Sequence, residues 1–184
     1  GHLNITSSYL NVGDFYVYEE EEAETINYSA DFTNLSLSAG AIWQYQEGQS
    51  VALSVSHSER APLSAELLSN GVHIATGTYE LGLGYHIEEG EIHFEPEDIK
   101  QETATNFDLS FRRFIGDFGY TINFFYNDNE NFYYQQNTGY FFDEEHGLEM
   151  AEEVHDDAMA VYQFTSKDAK LYGLEFDVHY QVSP

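Results

Sequence analysis

Apolar and polar residues alternate in five stretches of the chain, and this two-residue period is typical of β-strands with one apolar face. In the clearest stretch, 171–182, the sequence LYGLEFDVHYQV has large apolar side chains at every second position. The same period recurs at 35–43, 51–58, 106–112 and 120–127, and less regularly at 3–18. Only Phe125 breaks the alternation of 120–127. The pattern predicts an all-β fold with about six strands.

The connections between these strands come in two sizes. Short turns with a glycine span Tyr45–Gln49 and Phe114–Gly119. Long loops are predicted at 19–31, 60–101 and 128–168. If successive strands are antiparallel neighbours, the long loops lie at one edge of the sheet and the short turns at the opposite edge.

Two architectures produce alternating antiparallel strands. A soluble β-sandwich buries the apolar faces between two sheets, whereas a transmembrane β-barrel turns them toward lipid. Outer-membrane barrels combine long external loops with short periplasmic turns, so the asymmetry of the connections favours an antiparallel transmembrane β-barrel. Six strands are fewer than the ~8 of the smallest closed membrane barrel. Residues 1–184 are therefore predicted to be a barrel segment.

The composition excludes several functions. The chain has no Cys, which rules out disulfides, thiolate metal sites and cysteine nucleophiles. Its net charge of −27 repels nucleic-acid phosphates. There is no P-loop, and the run Ser56-His57-Ser58-Glu59 builds no catalytic triad because adjacent strand residues point to opposite faces. We therefore expect neither nucleic-acid binding nor enzymatic activity.

The acids are concentrated in the predicted long loops. Of the 33 acids, five lie in 19–24, ten in 59–102 and ten in 128–157. Two of these loops also contain pairs of histidines, namely His86 with His93 and His146 with His155. Imidazole and carboxylate bind zinc where thiolates are absent. The loops are predicted to gather divalent cations, and a solvated acidic surface with incidental histidines is the alternative.

A resemblance to a known family begins in residues 56–80, which read SHSERAPLSAELLSNGVHIATGTYE. This stretch resembles part of the barrel of TonB-dependent outer-membrane receptors, and its motifs resemble the zinc-uptake branch. Three later stretches resemble successive strands of the same family, in the same order: 101–113, 131–139 and 161–177. The resemblance covers residues 30–182.

The resemblance implies a barrel of about 22 strands in the outer-membrane lipid of a Gram-negative bacterium, with the long loops outside the cell. It implies zinc as the transported ligand, and energy from the inner-membrane TonB complex acting through a plug domain that lies outside these residues. It also implies that His73, within the motif N-G-x-H-x-A-T, is a metal ligand near the external entrance. Glu66 and Glu80 flank His73 and are weaker candidates.

The polar face of 171–182 would line the lumen of such a barrel. Glu175, Asp177 and His179 lie on that face and could relay a cation. Alternate strand residues are ~6.7 Å apart, so one ion reaches two of them only with favourable rotamers. Hydration of the lumen or contacts with a plug are the expected roles.

Two alternatives remain open. A haem or siderophore receptor would use the same barrel: acidic loops would repel an anionic siderophore, but haem could take His73 as an axial ligand. A soluble acidic β-sandwich acting as a calcium-dependent binding module is the second alternative. It would seal Leu174, Phe176 and Val178 against another sheet.

Overall fold

Long β-strands make up most of the chain. A computed structural model describes residues 2–19, 22–96, 99–150, 155 and 157–182, and only the backbone of 2–5 and 7–27. The elements in chain order are β1 (His2–Glu19), β2 (Glu22–Gln46), β3 (Gln49–Arg60), α1 (Ser64–Leu68), β4 (Asn70–His73), β5 (Thr78–Leu81), β6 (Tyr85–Glu88), β7 (Glu91–Phe94), β8 (Glu102–Ile115), β9 (Phe118–Asp143), β10 (Gly147–Met150) and β11 (Met159–Tyr180). Several acids of the predicted loops lie outside the described residues: Glu20, Glu21, Glu97, Asp98, Glu152, Glu153 and Asp156.

Six of these strands form one antiparallel wall in the order β1-β2-β3-β8-β9-β11. Tight turns at 47–48 and 116–117 join β2 to β3 and β8 to β9 at one edge of the wall, which we call the turn edge. Residues 61–101 and 144–158 leave the wall at the opposite edge, the loop edge. The predicted separation of short turns from long excursions is confirmed at these connections, and the described strands form an open segment of a barrel wall.

The apolar residues of neighbouring strands lie in register and form one continuous band. A row across the middle of the band consists of Ala41, Leu53, Leu109, Phe124 and Leu174. The described residues leave this face uncovered: Leu174, Phe176 and Val178 are 61%, 66% and 45% exposed. The β-sandwich alternative is therefore wrong, because a sandwich would bury these side chains against a second sheet.

Aromatic side chains border the band at both ends. Those toward the turn edge are Trp43, Tyr45, Phe118 and Tyr120, whose rings contact one another in pairs. Toward the loop edge, Tyr126 and Tyr172 stack with ring centroids 6.4 Å apart. Between Tyr172 and Tyr180 the strand rises about 26 Å, or about 20 Å along the barrel axis at a tilt of about 40°. Aromatic girdles at this spacing are typical of barrels that cross a membrane.

Much of two predicted long loops is strand in the structure. β2 begins at Glu22 and β9 continues to Asp143, so the prediction of loops at 19–31 and 128–168 is wrong for most of their length. The ladder simply continues beyond the apolar band, where Asp128 in β9 lies opposite Lys170 in β11 and their charged atoms are 3.0 Å apart. Hydrophobic periodicity does not detect such strands, because both of their faces meet water.

Residues 61–96 and 99–101, here called the cap, cross the loop edge from β3 and β8 to β11. Tyr79 of β5 pairs in parallel with Val161 of β11. A small core of buried residues forms at this junction, made of Tyr79, Leu81, Tyr85 and Val161, with Leu67 of α1 also buried. The helix α1 is five residues long, and no helix in the described part of the chain has the length and hydropathy needed to cross a membrane.

Gly82 permits the closest backbone approach in the cap. Its N–H donates to the carbonyl of Ser69 at 2.7 Å, and the next glycine, Gly84, donates to the carbonyl of Leu67 at 2.9 Å. A Cβ on Gly82 would overlap the backbone carbonyl of Leu67. Because backbone atoms cannot rotate away as a flexible side chain can, α1 depends on glycine at this position.

Replacing a lipid-facing residue at mid-band by a charge should destabilise the wall. We expect Leu109→Arg to lower the free energy of unfolding of the complete receptor in lipid vesicles by about 2–4 kcal/mol, because the guanidinium would face hydrocarbon. Ser54→Arg, on the opposite face of the same wall, is the matched control and should cost less than about 1 kcal/mol. Denaturant titration measures both values, and equal costs would contradict the assignment of faces.

Filling the close approach at Gly82 should unfold the cap alone. We expect Gly82→Ala to expose the amides of α1 and β5 to hydrogen exchange, whereas those of β3, β8 and β9 remain protected. Gly71→Ala is the control, since a Cβ there meets nothing within 4 Å. Unchanged protection of the cap in Gly82→Ala would show that α1 does not depend on this contact.

Candidate metal centre

The turn after β9 holds a histidine against a buried carboxylate. Asp143 Oδ1 accepts the backbone N–H groups of Glu145 and His146 at 2.8 and 2.9 Å. Gly147 then takes a φ of +75°, which favours glycine. The same oxygen lies 2.8 Å from His146 Nδ1. The Asp143 side chain is 8% exposed and that of His146 is 49% exposed, so half of the imidazole remains accessible.

A second histidine is held in the same way. Glu149 Oε1 in β10 lies 2.6 Å from His155 Nδ1, and Oε2 accepts the backbone N–H of His155 at 3.2 Å. Because an ionised carboxylate only accepts hydrogen bonds, the proton of each ring belongs on Nδ1, and Nε2 keeps a lone pair when the ring is neutral. Carboxylate–imidazole pairs of this kind orient histidines that bind metals.

The two imidazoles meet face to face. The rings of His146 and His155 stack with centroids 4.2 Å apart and planes 7° apart. Ligand atoms of His146, Glu149 and His155 lie within 4.8 Å of one another, and no other three potential ligands among the described residues come so close together. Ligand atoms around tetrahedral zinc lie about 3.3 Å apart. Capture of one ion therefore requires a small contraction and a rotation of the rings out of the parallel stack.

The surroundings of this centre are acidic. A cavity of about 360 Å³ beside the rings is lined by Asp143, Glu144, Glu145, His146, His155, Asp157 and Met159. The hydrogen bond between Asp143 and the His146 ring lowers the pKa of the carboxyl, helped by the backbone N–H of Glu145. The same hydrogen bond raises the pKa of His146. Because a protonated imidazole has no free lone pair, a metal at Nε2 must compete with the proton that Asp143 favours on His146.

The other predicted loop histidines also come together. His86 and His93 face each other across the β6–β7 hairpin, and their rings are 5.4 Å apart. The structure thus groups the four loop histidines into the two pairs that the sequence suggests.

His73 lies apart from these pairs, at the end of β4. Its Nδ1 is 2.9 Å from Thr76 Oγ1, and its carbonyl accepts the N–H of Gly77 at 2.9 Å. The imidazole is exposed, but it belongs to no group of three potential ligands among the described residues. The observed contacts of His73 are those of a turn.

Glu66 and Glu80, the weaker candidates beside His73, have other positions. Glu66 accepts hydrogen bonds from Arg60 at 2.7 and 3.0 Å and from the N–H of Leu63 at 2.8 Å. Burial alone would raise the pKa of Glu66, but the hydrogen bonds outweigh it and the pKa is lowered. Glu80 lies in β5 opposite Gly71. The carboxylate of Glu66 is therefore committed to an ion pair.

The predicted lumenal residues form a polar network rather than a ligand group. Glu175 accepts a hydrogen bond from Asn123 at 3.3 Å, and Ser110 donates to Asn123 at 2.9 Å. This row lines a concave cavity of about 640 Å³ together with Arg112. Asp177 pairs with Thr121 in the ladder.

His179 has a packing role. Its ring covers Gly119 and stacks on Phe114 with centroids 5.2 Å apart. Phe125, which lies on the same face of the wall, covers Gly173 in the same way. Aromatic rings placed over glycines replace the missing side-chain contacts of these strands.

Comparison with known proteins identifies the family. A sequence model described as TonB dependent receptor-like, beta-barrel, matches residues 5–183. The chain belongs to the TonB-dependent receptor β-barrel family. This confirms the family resemblance and the barrel fold, and it implies an outer-membrane location and a receptor rather than an enzyme. No curated protein sequence matches the chain.

Two solved TonB-dependent receptors illustrate the likeness. One is a double mutant of the Serratia marcescens hemophore receptor HasR in complex with its hemophore HasA and heme, with a TM-score of 0.51 and 10% identity. The other is the siderophore receptor PirA from Pseudomonas aeruginosa, with a TM-score of 0.47 and 15% identity. The alignments cover 98% and 95% of this chain but only 28% and 30% of those chains. At 10% identity the likeness to HasR shows the fold alone, and the zinc branch stays a prediction.

Removing the charge beneath His146 should change its titration. We expect Asp143→Asn to lower the pKa of His146 toward the ordinary value, because the amide can accept from the turn but no longer attracts the imidazolium. In the unaltered chain the ion pair stabilises the loop fully between the ordinary pKa of an aspartate and the ordinary pKa of a histidine. That stability is lost as pH rises through the raised pKa of His146, and also as pH falls through the lowered pKa of Asp143. NMR titration of the histidine Cε1–H signals measures the shift.

Glu144→Gln is the control, since it removes a nearby charge but not the hydrogen-bond acceptor. An unchanged His146 titration in Asp143→Asn would mean that the pair does not form in solution.

Proposed function

We propose that residues 1–184 are part of the barrel of a TonB-dependent receptor that takes up a divalent transition-metal ion, with zinc as the substrate. The loop edge would face the outside of the cell. The observation that carries this proposal is the pair of stacked imidazoles, His146 and His155, each held by its own carboxylate. An imidazole oriented in this way is a good nitrogen ligand for zinc.

The ligand types favour zinc over calcium. Calcium takes six to eight oxygen ligands, and two imidazoles would be poor members of such a set. Zinc accepts nitrogen and carboxylate oxygen together in a four-ligand geometry. His146 and His155 would supply two nitrogen ligands, and Glu149 would orient His155 through Nδ1. Water molecules or acids from the surrounding cavity would complete the set.

The charge of the loop edge would raise the local concentration of the substrate. The chain carries 33 acids against six bases, and most of the acids lie in or near the excursions at this edge. A negative surface at the mouth of a barrel attracts cations and speeds their capture. The centre would then be the first site that binds the ion. The ion would move inward into the barrel after its bonds to the carboxylate or imidazole ligands break.

Transport itself would require parts of the receptor beyond this segment. We include in the proposal the plug domain and the inner-membrane TonB complex that the family resemblance implies. His73 and Glu80 remain candidate ligands for a later step, and Glu175 and Asp177 would offer polar contacts along the lumen.

A haem receptor is the second candidate. The observation in its favour is the exposed imidazole of His73, whose Nδ1 is occupied by Thr76 while Nε2 could bind an iron. Zinc uptake would depend on His146 and His155, whereas haem uptake would depend on His73. Substituting these histidines separately therefore distinguishes the two functions.

The decisive experiment measures uptake in cells that express the complete receptor. We expect His146→Ala/His155→Ala to raise the zinc concentration for half-maximal uptake by about tenfold or more, with little change at saturating zinc. His57→Gln is the control, because His57 lies outside the loop-edge histidine pairs and hydrogen-bonds Thr105 on the wall.

Two results would contradict the proposal. One is unchanged zinc uptake in the double variant at every concentration. The other is a receptor that takes up no zinc in any form but supports growth on haem and shows a haem absorption band. If His73→Ala abolishes that growth and that band, the protein is a haem receptor instead.

A further inference from the structure

The β6–β7 hairpin has a mirrored sequence. Residues 86–93 read HIEEGEIH, so that histidine, isoleucine and glutamate recur in reverse order on either side of the turn. The register preserves this mirror: His86 lies opposite His93, Ile87 opposite Ile92, and Glu88 opposite Glu91. Because strand residues alternate between faces, the two histidines and two glutamates share one face and the isoleucines share the other.

The isoleucine face anchors the hairpin. Ile87 and Ile92 pack against the buried core of the cap. At the base of the hairpin, the rings of Tyr85 and Phe94 are 5.0 Å apart, and the N–H of Glu95 donates to the carbonyl of Gly84 at 2.9 Å. The opposite face, with its imidazoles and carboxylates, is therefore held outward as a fixed surface.

That outward face is electrostatically unfavourable when it is empty. Glu88 and Glu91 lie directly opposite each other, and like charges in this position destabilise a strand pair. Both carboxylates are well exposed, so water and salt weaken this repulsion without abolishing it at such short range. A cation between the strands would remove the repulsion.

A small divalent ion would draw these side chains together, because as they stand no three of their ligand atoms lie within 4.8 Å of one another. His86 Nε2 is 3.7 Å from Glu88 Oε2, and His93 Nε2 is 3.9 Å from Glu91 Oε2. These contacts are too long for hydrogen bonds. They are also within about 0.6 Å of the separation of about 3.3 Å between ligand atoms around tetrahedral zinc. The ring centroids of the two histidines, 5.4 Å apart, place both nitrogens over the same pair of strands.

We propose that the β6–β7 hairpin is a second zinc site, in which His86, Glu88, Glu91 and His93 bind one ion across the two strands. Two nitrogen and two carboxylate oxygen ligands form a complete tetrahedral set. The ion would tie the strands together and neutralise the paired carboxylates. The site does not depend on the function proposed above, since it would stabilise the cap of a receptor for any substrate.

Cobalt(II) is a suitable probe, because tetrahedral Co²⁺ absorbs visible light strongly. The experiment uses the purified complete receptor with His146→Ala/His155→Ala, so that the first centre is absent. We expect this form to bind one equivalent of tetrahedral Co²⁺ that Zn²⁺ displaces. Adding His86→Ala/His93→Ala should abolish that absorption, and Glu88→Gln/Glu91→Gln should weaken Co²⁺ binding about tenfold or more.

The matched control adds His57→Gln/His179→Phe to the same background, which removes two histidines outside the hairpin, keeps a ring over Gly119, and should leave the absorption intact. Circular dichroism checks that each form is folded. The proposal is wrong if the background form shows no tetrahedral Co²⁺, or if the hairpin substitutions leave the spectrum unchanged. Either result leaves the dependence of uptake on His146 and His155 untouched, so the two proposals fail separately.

Discussion

The constraint on which this structure depends is that hydrocarbon offers no hydrogen bonds. Within a membrane every backbone N–H and C=O must find its partner in the protein, and paired strands in a closed barrel achieve this. Once the strands pair, the alternation of side chains assigns one face to lipid and the other to water. The row from Ala41 to Leu174 follows from this assignment. So does the network of Ser110, Asn123 and Glu175 on the other face.

Beyond the aromatic girdle the strands are in water, so this constraint no longer applies and other interactions stabilise the chain. The ladder of β9 and β11 continues into water, held by backbone pairing and by contacts such as Asp128 with Lys170. The cap can bury Leu81 and Val161 completely because water on its outside gives hydrophobic burial its usual driving force. The only well-packed apolar core among the described residues is therefore outside the lipid-facing band.

The candidate metal ligands lie at the loop edge, where side chains meet water. His86 and His93 lie on one short hairpin, and His146 lies in the turn of another, β9–β10. Both hairpins contribute apolar side chains to the cap core: Ile87 and Ile92 from one, Leu148 from the other. The pairs differ in their support. His146 and His155 each have a carboxylate at Nδ1, which prepares Nε2 for a metal, whereas His86 and His93 have carboxylates nearer Nε2, where an ion would be shared. One arrangement suits capture and release, and the other suits a resident ion.

The sequence by itself determined the strands that face lipid, since alternation of apolar residues with Glu175 and Asp177 reflects an environment that differs on the two sides. It also identified the acidic loops and the histidines in them. It could not reveal the strands beyond the band, because periodicity vanishes where both faces are wet. Nor could it single out Asp143 and Glu149 from the many acids, although a turn of the type Asp-x-x-His before Gly147 was a usable signal. Tertiary structure alone decided which imidazoles stack, that Glu66 binds Arg60, and that His179 covers Gly119. The last contact depends on the register between β9 and β11, and the first two depend on the course of irregular segments, which hydrophobic periodicity does not predict.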